Sequence, residues 1–187
     1  MVSAEENLPT NYPLGWTERI TLEDGVQVTV RPIYPADAPR LQEGFSHLSP
    51  QTIYFRFLDA ANQLSDKQAQ LLANLDYENQ MAMVAAIEEE GEERLVAVAR
   101  YAMVGAAIPG AAETAVVVRD DFHGRGLGTS LYAHLIRYAQ AHGVRTFTAT
   151  IHQSNAGIVN FIRRSGLTFE RCMLEPGVFL FTIKLGD

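Results

Sequence analysis

Three glycines within five residues, Gly124, Gly126 and Gly128, separate a valine run from a helical stripe, and no other feature narrows the fold as much. Ahead of them, residues 115–118 read as a short buried strand. Behind them Leu127, Leu131, Leu135 and Tyr138 recur at helical spacing as far as Gly143. At a junction of strand, glycine loop and helix, missing side chains let backbone N–H groups approach an anion, and the helix N-terminus adds partial positive charge. The expected ligand is a phosphate, with Arg125 as the only formal cation in the loop.

Three readings of the loop compete. A triphosphate loop needs a lysine after its last glycine, whereas Gly128 is followed by Thr129 and Ser130. A dinucleotide fingerprint would put its third glycine at Thr129 and an acidic residue where His152 ends the next strand, so it fits poorly. The third reading is a tight turn without a ligand, and the loop alone does not exclude it.

The rest of the chain supplies the frame. Val26, Val28 and Val30 alternate with polar residues as a half-buried strand ended by Pro32, and ordered structure is expected to begin there. Residues 36–47, 50–57 and 65–75 read as helices, the last behind a Ser65-Asp66 capping signal. Residues 81–88 and 94–104 form a hairpin about an acidic turn, 145–151 a further strand, 155–165 a helix, and 167–174 with 178–185 a terminal hairpin. Residues 1–16 lack periodicity and are expected to be a tail or arm, with residues 17–187 as a single domain.

Composition restricts the function. With 187 residues, 47% of them apolar, the chain can fill one core. A formal charge of -7 argues against nucleic acid, which draws on clustered Lys and Arg. The apolar runs are too short to cross a bilayer, so no membrane partner is expected. The lone Cys172 cannot close an internal disulfide and is expected to be a packed, inert thiol. With no secretory signal at the start, these features predict a cytoplasmic protein. The five histidines lack ligand spacing, so no metal is expected.

A second motif resolves the competition over the loop. Asn155-Ala156-Gly157-Ile158-Val159-Asn160-Phe161-Ile162-Arg163-Arg164-Ser165-Gly166-Leu167 follows the next strand. With both motifs in order, the chain resembles the GNAT superfamily of acetyltransferases across residues 26–185. That resemblance implies a mixed α/β fold whose sheet of six or seven mostly antiparallel strands is flanked by helices and splayed beside the glycine loop. It implies acetyl-CoA as cosubstrate, its pyrophosphate on the amides of His123, Gly124, Arg125, Gly126, Leu127, Gly128 and Thr129. Pantetheine would lie along Val116, Val117 and Val118, with Asn155 flanking the thiol arm. Three positions depart from the pattern: His123 stands for Gln or Arg, Leu167 for Phe, and Ile162 for the tyrosine that protonates the leaving thiolate.

Further segments, among them residues 30–37, 48–57, Asp76-Tyr77 and 112–121, resemble the bacterial protein lysine acetyltransferases that modify acyl-CoA synthetases. In that branch the glutamate before the glycine-loop strand is the general base, and Glu113 matches it. A lysine amine, which ordinarily titrates at about 10.4, must lose a proton before attack, and flanking apolar residues could raise the basicity of Glu113 by desolvation. The expected reaction is direct transfer to an amine, with a lysine on an acyl-CoA synthetase as the partner. A small amine acceptor and a non-catalytic CoA sensor are the alternatives, and the sequence leaves room for a homodimer.

Overall fold

The computed structural model describes residues 8–58, 63–105 and 108–186. Among these residues eight strands form one sheet: β1 (Glu18–Thr21), β2 (Gln27–Pro32), β3 (Gln80–Glu89), β4 (Glu92–Met103), β5 (Ala111–Val118), β6 (Thr146–His152), β7 (Phe169–Glu175) and β8 (Val178–Lys184). Their order is β1-β2-β3-β4-β5-β6-β8-β7, and every pairing is antiparallel except β5 with β6. Among the described residues five α-helices flank the sheet, α1 (Ala38–Ser46), α2 (Pro50–Phe57), α3 (Asp66–Ala73), α4 (Leu127–Ala141) and α5 (Ala156–Arg164), together with three short 3-10 turns.

The sheet has one strand more than the upper expectation, because β1 pairs with β2 before Val26. Of the expected arm, residues 1–7 lie outside the described residues. Residues 8–16 lie on the domain, where the buried Tyr12 donates to the Pro32 carbonyl at 2.8 Å and Trp16 packs edge-on against Tyr138. The acidic hairpin turns on Glu90 and Gly91, both with positive φ, which is the two-residue turn that matches strand twist. The Ser65 cap is a full capping box with Gln68.

Neighbouring residues of a strand face opposite sides. Tyr101 of β4 packs on Phe147 in the core shared with α4, whereas Arg100 lies with Leu41 and Phe45 of α1 on the other face. That second face is pinned by an ion pair. Asp37, fully buried, takes both Arg31 amino groups at 2.7 and 2.8 Å, the Tyr34 N–H at 3.1 Å and Arg40 at 3.2 Å. Burial works to lower the Arg31 pKa, but Asp37 and Glu93 prevail and raise it well above its ordinary value. The segment containing Arg31 and Asp37 therefore fastens β2 to α1, a structural task.

Candidate active site

The site forms where β5 and β6 separate. β5 pairs with β4 from Ala112 through Val118, yet it meets β6 only at Ala111↔Thr146, Ala112↔Phe147 and Glu113↔Thr148. Beyond Glu113 the strands diverge, so the outer edge of Val116, Val117 and Val118 has no strand partner. These valines are half-buried rather than the buried run expected, because one side borders an open cleft. The cleft has a volume of about 660 Å³ and is lined by residues from β5, the glycine loop, α2 and α5.

The glycine loop faces this cleft with its donors free. Among the described residues, the N–H groups of residues 124–129 have no hydrogen-bond acceptor, and the first that has one is Ser130, on the Gly126 carbonyl at 3.0 Å. Gly124 and Gly126 adopt φ of +72° and +78°, the left-handed region that side chains disfavour. Gly128 serves differently: a Cβ there would come within 3.3 Å of Val118 Cγ2, so its bareness lets the first turn of α4 close on β5. His123 Nε2 lies 2.9 Å from the Val118 carbonyl, to which it must donate, and this ties the loop back to the strand. An array of unpaired amides at a helix N-terminus fits a pyrophosphate.

The remaining sequence candidates divide. Gly124, Gly126, Leu127, Gly128, Thr129, His123, Asn155 and the three valines line the cleft together. Arg125 does not, since its guanidinium pairs with Asp24 and lies 4.3 Å over the Phe122 ring. Cations on the cleft come instead from Arg56 of α2 and from Arg164 at the end of α5, neither of which the sequence reading assigned to the cofactor. Asn155 caps α5 by accepting the Ile158 N–H at 3.3 Å.

Glu113 sits at the last rung before the strands part, opposite Thr148 on one side and Ala102 on the other. Its apolar neighbours Ala111 and Ala112 are buried, but Glu113 itself is exposed, so the desolvation expected from its flanks does not reach it. Ile162 is buried at the inner end of the gap, beside Tyr132 of α4. Burial pushes the Tyr132 phenol well above its ordinary pKa, with the Thr114 hydroxyl opposing, so Tyr132 is a protonated donor at neutral pH. The sequence reading missed it because at helical spacing it is indistinguishable from core. Cys172 is exposed on β7, contrary to the packed thiol expected, and three places from β5 in the sheet order.

Comparison with known proteins identifies the family of this fold. Residues 45–167 match the acetyltransferase (GNAT) family. An acetyltransferase of Pseudomonas aeruginosa is 34% identical over 83% of this chain and 82% of its own length. The acetyltransferase Pat of Mycolicibacterium smegmatis is 28% identical over 81% of this chain, which spans 44% of that protein. The crystal structure of the GNAT domain of S. lividans PAT superposes with a TM-score of 0.83 at 29% identity, covering 92% of this chain and 99% of that domain.

Proposed function

The chain belongs to the GNAT family of acetyltransferases, and on that premise we propose that it moves acetyl from acetyl-CoA to a lysine side chain of a partner protein, an acyl-CoA synthetase being the candidate. The unpaired amides of residues 124–129 carry the cosubstrate half of this reading, because they match a pyrophosphate in charge and number. The acceptor half rests on the resemblance of residues 30–37, 48–57 and 112–121 to the protein-modifying branch and on the likeness to the PAT domain.

When bound, the thioester supplies an activated acetyl carbon. The free edge of Val116, Val117 and Val118 offers backbone groups to hold the pantetheine arm straight along β5. Glu113, at the mouth of the split, takes the proton from the attacking amine as the new N–C bond forms and the C–S bond breaks. Its exposure suits a carboxylate acting through a water on a protein-borne lysine. The sulfur leaves as a thiolate, and Tyr132, a protonated phenol that lines the gap with Thr114 and Thr150, returns a proton to it.

The test compares specific transfer rates to a synthetase and to free amines at matched concentrations, with the target lysine of the synthetase then changed to arginine. Faster labelling of the protein, abolished by the arginine change, is expected. A free amine acetylated orders of magnitude faster, or an arginine variant labelled as well as its parent, overturns the lysine assignment.

A further inference from the structure

Two guanidinium groups share one wall on the Glu113 face of β5. Arg56, in the last turn of α2, borders both the cleft and an adjoining cavity of about 80 Å³ between α1 and the sheet. Arg100, on β4 opposite Ala115, lines that same cavity. The rest of the wall is apolar, with Leu41, Phe45, Leu48, Phe57, Val98 and Val117, apart from Arg40 and Arg119, each of which already holds two carboxylates. Both arginines are half-buried, and among the described residues neither has a carboxylate within salt-bridge distance. The buried Arg31 and Arg119 of the same sheet region each hold two. Glu113 lies two residues from Ala115 on the same face, close enough for its charge to act on Arg56.

Two like charges in a partly apolar wall cost the folded protein free energy that an anion between them would return. The charges feel this already: burial, and then the charge of Arg56, push Arg100 down to about 10. The overall acidity of the chain, which favours a cationic acceptor at long range, is reversed here.

We propose that Arg56 and Arg100 form an anion subsite for the acceptor, holding a carboxylate carried by the same molecule as the amine while the amine is directed to Glu113. The inference rests on the reading of Glu113 as the base. A planar guanidinium matches a carboxylate in two-point geometry, and the apolar surround strengthens the pair. The carboxylate is either an acidic side chain beside the target lysine or the α-carboxylate of a free amino acid. A polyamine, cationic throughout, is a poor occupant.

Initial rates on matched acceptors decide it: a lysine peptide with glutamate beside the lysine against the same peptide with glutamine, and a free amino acid against its carboxamide. The protein should prefer the acid of one pair by about tenfold or more in kcat/KM, chiefly through KM. The pair showing the preference identifies the source. Arg100→Met should erase the preference with acetyl-CoA affinity unchanged, and Arg100→Lys should restore part of it. Equal rates within both pairs, or a preference that survives in a folded Arg100→Met, overturn the subsite. The comparison on the unmodified protein stands even if Arg100→Met does not fold. Transfer to none of the four removes the acceptor reading beneath it, and full turnover by Glu113→Gln removes the base while leaving the acid-to-amide ratio intact.

Discussion

Asp120 holds Ser49 at two points: the Ser49 backbone N–H donates to Oδ2 at 2.9 Å and its hydroxyl to Oδ1 at 2.7 Å. Thr52 adds its hydroxyl to Oδ1 at 2.9 Å, so one carboxylate just before the glycine loop fixes the first turn of α2. The helix bearing Arg56 and the glycine loop facing the cleft are thereby placed relative to each other.

Asp120→Ala should cost about 1–3 kcal/mol of stability and raise KM for the acceptor, read by thermal melts and initial rates. Burial works to raise the Asp120 pKa, but the bonds from Ser49 and Thr52 prevail and lower it. A depressed folded pKa gives stability that is complete above the ordinary carboxylate pKa and is lost as pH falls through the folded value. Acid titration of the parent should therefore show a loss below the ordinary carboxylate range that Asp120→Ala lacks.

Gly126→Ala should weaken acetyl-CoA binding at least tenfold by calorimetry, since the new methyl intrudes on the anion cradle, and the positive φ adds about 1 kcal/mol of strain. Gly128→Ala should act otherwise, because its methyl meets Val118 rather than the cleft. Unchanged affinity in a folded Gly126→Ala would remove the loop from the site.

Tyr132→Phe should leave acetyl-CoA affinity intact and lower kcat by about tenfold or more if its hydroxyl returns the proton to sulfur. Wild-type turnover would make Tyr132 a packing residue.

The sequence made some of this architecture legible and hid the rest for physical reasons. The glycine loop, the Asn155 cap and the acidic hairpin each depend on residues adjacent in sequence, so local chemistry suffices to find them. β1 was missed because this edge strand is largely exposed and carries Glu18, Arg19 and Thr21 in place of an apolar alternation. The pairing of Arg56 with Arg100, and of Ser49 with Asp120, joins segments that only the sheet brings together. The exposure of Glu113 was invisible because the splitting of β5 from β6, not the residues beside it, opens that position.

Glu113→Gln should keep acetyl-CoA affinity while turnover falls by about 10² to 10⁴, the usual worth of a general base. Equal rates for variant and parent between pH 6 and 9 would make Glu113 structural.

Acetyl transfer to an amine at the split between β5 and β6 is tested most directly by following free CoA thiol and acceptor mass together in one incubation with acetyl-CoA. Thiol should be released one for one with acetyl gained on an acceptor nitrogen, at a rate that collapses in Glu113→Gln. Tight binding of acetyl-CoA with no thiol release in the presence of protein and small-amine acceptors would contradict such transfer and leave a binding domain in place of an enzyme.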